Sequence, residues 1–315
     1  MSLTNIQRRL KPFMLPIAIL GGFLFYKPIA MMQWAVPYLI FTMLFLTFCR
    51  VRPRDFRIEK MIWMLLAVQV VGSVAVFFAL RPFGLTFAQS VMICVLCPTA
   101  TAAPVVTGLL GGSIARVASY SMVCNLTMAI FAPVFFVVAN PGTDISFIEA
   151  SLGIAMHLAP LIVFPLCAAL LLYFTAPKVH AAIGSIQGVS FYLWAVSLFL
   201  VVGKAVGFVM SEPASEIPAM TAMAVAAAVV CIAQFAIGRK IGRACGDKIS
   251  AAQGLAQKNT VLGIWMSLNY LNPLSSIGPA AYIIWQNLVN SFQLFRKTRM
   301  DAARKKDEPK AFSRR

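Results

Sequence analysis

The chain has 315 residues, 60% of them apolar and only 12% charged, a balance that excludes an ordinary soluble domain and fits a polytopic helical membrane protein. Its net charge of +17 does not point to nucleic acid, because the basic residues lie in a few short loops and the C-terminal tail, flanking apolar runs. The expected surroundings are therefore a lipid bilayer. Most of the seven cysteines fall in or beside apolar runs and read as small buried residues. Cys94 and Cys97 form a Cys-x-x-Cys with no second pair or histidine nearby, so neither a metal nor another cofactor is expected.

Ten hydrophobic segments follow in chain order, at about 12–31, 34–49, 61–80, 84–110, 114–139, 147–174, 187–210, 216–238, 249–271 and 273–295. Most exceed the roughly 20 residues that a spanning helix needs. The first, preceded by Gln7-Arg8-Arg9-Leu10-Lys11, has the look of a signal peptide. It reads as a first span, because no Ala-x-Ala cleavage site precedes residue 32 and many spans follow.

Lysine and arginine orient the spans. With the N-terminus inside, the inner side holds three in the N-tail and five after the second span. It holds one each after the fourth and sixth spans, four after the eighth and nine in the tail. That is 23 of 27, against two (Lys27 and Arg81) outside, with Lys204 and Lys258 within spans. The asymmetry predicts N-in, C-in and an even number of spans. The expected location is a bacterial inner membrane. Five spans plus five gives two inverted repeats, a design common among secondary transporters. The divisions are a first repeat over 1–140, a second over 141–295 and a basic cytoplasmic tail over 296–315.

Two spans are interrupted by polar residues. In span four, Pro98 and Pro104 bracket Thr99 and Thr101, and each proline removes a backbone donor. Span nine contains Gln253, Gly254, Gln257, Lys258, Asn259 and Thr260. A lysine at that depth costs several kcal/mol unless it faces a cavity or a partner. Gln253, Gln257 and Thr260 share one helical face, whereas Lys258 and Asn259 are displaced from it by roughly 100° and 200°. An unwound crossover surrounded by protein removes that conflict.

These segments resemble the bile acid:sodium symporter family. Pro98-Thr99-Ala100-Thr101-Ala102-Ala103-Pro104-Val105-Val106-Thr107 is similar to the family's span-four pattern Pro-Gly-Gly-Thr-Ala-Ser-Asn-Val-Val-Thr. The segment from Gly254 to Leu262 is similar to its span-nine pattern Glu-Val-Gly-Met-Gln-Asn-Ser-Gly-Leu, and Pro273 through Asn287, with Trp285, is similar to its last span. The resemblance implies an all-α fold of ten spans with spans four and nine broken and crossing. It also implies a core domain of spans 3–5 and 8–10, a panel domain of spans 1, 2, 6 and 7, and substrate between the two.

The sodium-binding positions of the family are degenerate here. Its Ser-Asn falls on Ala103-Pro104, and two span-five hydroxyl positions fall on Val117 and Ser121. Its span-nine glutamate falls on Gly254 or Gln253, its following glutamine falls on Lys258, and a span-three glutamine is kept as Gln69. Independently of that alignment, all ten carboxylates lie in loops, at span ends or in the tail. Sodium dependence is therefore open, and the Lys258 ammonium is expected to stand where a cation would, as a fixed countercharge or a proton carrier. The expected function is alternating-access transport of a small organic anion, a carboxylate or a bile-acid-like solute. The expected site comprises Thr99, Thr101, Gln253, Gln257, Lys258, Asn259 and Thr260, with Gln69, Ser121 and Asn125 in support. Alternatives are a related carrier of arsenite or an auxin-like solute, with Cys97 as the thiol, an intramembrane enzyme, or a channel.

Overall fold

The structure is a computed structural model that describes residues 14–32, 34–49, 57, 59–100, 102–139, 146–185 and 187–307. Among these residues the chain is helical, with no named strand and a single isolated bridge. Two stretches, Lys60–Phe83 and Ala214–Ala244, are long and apolar enough to cross a membrane on their own. Helical composition and these stretches agree with a helical membrane protein.

The first half of the chain holds α1 (Met14–Leu24), the single turn α2 (Tyr26–Ile29), α3 (Ala35–Phe48), α4 (Lys60–Leu80), α5 (Leu85–Leu96), α6 (Ala103–Leu110) and α7 (Ile114–Ala139). The second half holds α8 (Phe147–Thr175), α9 (Pro177–Ser185), α10 (Gln187–Ser211), α11 (Ile217–Ala244), α12 (Lys248–Ala256), α13 (Thr260–Tyr270) and α14 (Ile277–Asp307).

Prolines explain two departures from straight helices. The first apolar segment is interrupted at Phe25. Pro28 has no N–H for the carbonyl of Leu24, and its ring crowds that carbonyl. Helix α7 bends by 46° between Met128 and Ile130, four residues ahead of Pro133, for the same reason. Two further features differ from the sequence reading. The connection after span six carries the extra helix α9, and the basic tail expected from residue 296 starts as a continuation of α14 to Asp307.

The interrupted spans appear as helix pairs: α5 and α6 are separated by 97–102, and α12 and α13 by 257–259. Pro104 lies in the first turn of α6, where its missing N–H is an orphan in any helix. Helix α12 is capped by Asp247, whose carboxylate accepts from Ser250 N at 2.9 Å and Ser113 N at 3.3 Å. Arg116 lies 3.1 Å from Glu59 and 3.6 Å from Asp247, so the starts of α4, α7 and α12 share one ionic cluster.

The main apolar core gathers Leu65 and Phe77 of α4, Met92 and Leu96 of α5, Tyr120 and Phe136 of α7, Leu255 of α12 and Met266 of α13. It therefore closes around both interrupted spans. Gly238 and Gly242 of α11 let two backbones touch. A Cβ on Gly238 would stand 2.7 Å from Ala251 O and from Ala252 Cα, and one on Gly242 would stand 2.6 Å from Lys248 Cα. Small residues four apart serve this purpose in membrane helices.

Gly238→Ala is expected to lower the melting temperature in detergent, by the equivalent of about 1–3 kcal/mol, because backbone atoms cannot yield to the methyl group. Gly207→Ala is the control. Its nearest neighbour is a Tyr26 ring carbon at an ordinary 3.7 Å, so stability should hold or rise.

Candidate functional site

The two unwound segments meet as an antiparallel bridge with Thr99 opposite Lys258. Ala100 N donates to Gln257 O at 2.8 Å, and Asn259 N donates to Pro98 O at 2.8 Å. Each break thus satisfies part of the other's backbone. This is what an irregular segment requires where water is scarce.

A helix that stops early leaves its last carbonyls without partners. At the end of α5 they are capped by side chains from three directions. Gln234 Nε2 donates to Cys94 O at 3.2 Å. Lys258 Nζ donates to Val95 O at 2.9 Å. Gln69 Nε2 donates to Leu96 O at 3.0 Å and Cys97 O at 2.9 Å. Gln69 is itself held by Tyr120, whose hydroxyl donates to Gln69 Oε1 at 2.8 Å.

The end of α12 is capped in the same manner. Thr99 Oγ1 donates to Gly254 O at 2.9 Å, and the Tyr282 hydroxyl donates to Ala256 O at 2.8 Å. Gln286 of α14 grips the peptide of Lys258 from both sides. Its Oε1 accepts from Lys258 N at 2.8 Å, and its Nε2 donates to Lys258 O at 3.3 Å.

Lys258 is 1% exposed. Its ammonium lies at the negative end of the α5 dipole, a favourable place for a cation. The starts of α6 and α13 approach the same region with their positive ends. Asn259 caps α13, its Oδ1 accepting from Leu262 N at 3.2 Å.

Beside the crossover lies a cavity of about 80 Å³. Met43 of α3 and Ser197 and Leu198 of α10 form one wall. Ala100, Ala102 and the stretch from Gln257 to Val261 form another, and Ile283, Gln286 and Asn287 of α14 complete it. Gln257 is buried on this wall, and its Oε1 has no protein partner.

Most of the residues expected from sequence converge here, in different roles. Gln257, Lys258, Asn259 and Thr260 line the cavity. Thr99 and Gln69 stand behind it as helix caps. The Lys258 ammonium bonds Val95, which is not a lining residue, so it is committed to the helix end. Gln253 is also behind the crossover, with Nε2 donating to Asn290 Oδ1 at 2.9 Å. The shared face of Gln253, Gln257 and Thr260 does not exist as a helix face, since 257–259 are not helical.

Ser121 and Asn125 bond along their own helix, Asn125 Nδ2 to Ser121 O at 2.6 Å and to Ser121 Oγ at 3.2 Å, and no described bond joins them to the crossover. Thr101 lies outside the described residues. Gln234, Tyr282, Gln286 and Ser197 were not expected at the site. Gln234 and Gln286 carried a legible signal, an amide inside an apolar helix, whereas Gln69 was singled out by the family resemblance.

Among the described residues no group of three His, Cys, Asp or Glu is arranged to hold a metal ion. No family model matches the chain, and no curated protein matches it.

Gln69→Leu is expected to cost about 1–3 kcal/mol for each carbonyl left without a partner, and to lower the detergent melting temperature clearly. Gln257→Leu removes a side-chain oxygen that has no protein partner, so it should leave stability nearly unchanged. The difference between the two melting curves checks the capping scheme.

Proposed function

We propose that this protein is a secondary transporter of the bile acid:sodium symporter type, carrying a small organic anion by alternating access. The observation that carries the reading is the pair of interrupted helices crossing beside a cavity, with opposed helix ends in one place. Discontinuous helices around a midplane site are the usual binding architecture of such carriers. In this reading the chain has ten spans in two inverted repeats, N-in and C-in, in a bacterial inner membrane. Helices α3 and α10 belong to the panel, and α5, α6, α12, α13 and α14 belong to the core that moves against it.

The cavity size supports a short carboxylate over a steroid. A drug-sized ligand needs about 300 Å³ or more, whereas each water takes only about 10–15 Å³ of such space. Asn259 at the start of α13 and the buried amide of Gln257 offer polar contacts to a carboxylate, and α13 presents its positive end.

Sodium does not fit the residues present. Ala103 and Pro104 carry no side-chain oxygen. The carbonyl of Val95, the kind of ligand a sodium ion takes, already accepts from Lys258 Nζ. In this reading Lys258 is a built-in cation that fixes the crossover, and transport runs without sodium.

The thiol-based alternative loses support. Cys97 is fully buried, packed against Gly263, and is absent from the cavity wall. An enzyme is also disfavoured, since Lys258 is the sole titratable group among the described lining residues, which leaves no acid–base pair.

In proteoliposomes, uptake of labelled short-chain carboxylates by wild type should be saturable and indifferent to replacing sodium with choline. Lys258→Met should abolish uptake or make it dependent on an added cation. Unchanged uptake by that variant would overturn the role given to Lys258.

A further inference from the structure

Five basic side chains with no described ion pair gather at one end of two neighbouring helices. Arg239, Lys240 and Arg243 close α11, and Arg296 and Arg299 lie in the extension of α14; all five are exposed. The helices run parallel. Met220 and Met223 pack with Ile277 near their starts, and Phe235 and Val230 share a cluster with Val289 further along. Both basic segments therefore arrive at the same end of the bundle.

The surface just before these charges is apolar on both helices. Ile232 is 61% exposed on α11, and Phe292 is 60% exposed on α14. Exposed apolar side chains followed by exposed cations match the passage from acyl chains to headgroups. Helix α14 has the length for this. Its 31 residues span about 46 Å at 1.5 Å per residue, against roughly 30 Å of hydrocarbon. The guanidinium of Arg296 lies 5.9 Å from the centre of the Phe292 ring, and that of Arg299 lies 5.5 Å from the Phe295 ring, which holds both arginines against their own helix. Lys297, between them, is occupied differently, donating to Leu109 O at 3.1 Å at the end of α6. Among the described residues, α14 holds two acids, Asp301 and Asp307, both beyond Arg299.

We infer that the end of α11 and the extension of α14 together form a binding site for an anionic phospholipid headgroup, with Arg239, Arg243, Arg296 and Arg299 engaging its phosphodiester. Arginine suits this ligand because its planar donors match phosphate oxygens in pairs. Orientation of the chain would need positive charge near this end, but not two helix-borne clusters brought together under a shared apolar collar. The inference rests on the membrane reading and not on transport.

The test uses the full-length protein in a neutral detergent, with native mass spectrometry and melting curves. The probes are phosphatidylglycerol, phosphatidylcholine of the same chain length, and inorganic phosphate. Phosphatidylglycerol should give a saturable adduct and raise the melting temperature, and phosphatidylcholine should not. R239Q/R243Q and R296Q/R299Q should each weaken that adduct at least tenfold while keeping the lipid-free melting temperature. Equal binding of the two lipids, unchanged binding by both variants, or the same stabilisation by inorganic phosphate would overturn the site. A variant that failed to fold would be replaced by the single changes R243Q and R296Q, read in the same way.

Discussion

Two helices that stop inside an apolar core leave carbonyls with nothing to bond, and the arrangement at the crossover follows from that constraint. Each unpaired group in hydrocarbon costs several kcal/mol. The ends of α5 and α12 meet that cost with Gln69, Gln234, Lys258, Thr99 and Tyr282, drawn from α4, α11, the two breaks and α14. These caps explain why the core closes around the breaks, and why a chain with few polar residues places several of its amides here. Gln286 then locks the Lys258 peptide, so that the bridge between Thr99 and Lys258 is held from both strands and from a third helix.

A lysine is an unusual cap because it brings a charge that must be desolvated. The compensation is positional: the ammonium meets a carbonyl at the negative end of a helix whose other terminal carbonyls are already satisfied. A mobile cation in that position would bind and leave. A lysine cannot leave, so the crossover keeps this cap throughout any cycle of movement. In the proposed transporter this separates holding the crossover together from coupling to an ion gradient, and leaves the cavity free for a solute of a few heavy atoms.

Much of this was legible in the sequence because it depended on contrast. Pro98 and Pro104, and a lysine among amides in span nine, conflict with a lipid-facing helix, and both breaks are present. What the sequence could not convey was partnership. Gln69 and Lys258 look alike as ligand candidates, yet both act as caps toward α5. Whether a polar side chain turns to the cavity or to a neighbouring helix end depends on rotamers and on helix crossing, neither of which leaves a periodic trace. The same applies to Ser121 and Asn125, whose spacing of four let them pair with each other. The bend ahead of Pro133 and the break ahead of Pro28 were readable from proline chemistry alone. The extra helix α9 was not, since its nine residues open on Pro177 in a short stretch that reads equally well as a loop.

The central claim is that Lys258 is the cation of this site. The most direct test is the melting temperature of the purified protein in NaCl and in choline chloride at equal ionic strength, for wild type and for Lys258→Met. A cation that binds only the folded state raises the melting temperature with its concentration. The account predicts no difference between the two salts for wild type, and a lower melting temperature for the variant in choline chloride. Sodium-specific stabilisation of the wild type would contradict it, because a sodium site would then exist alongside the lysine.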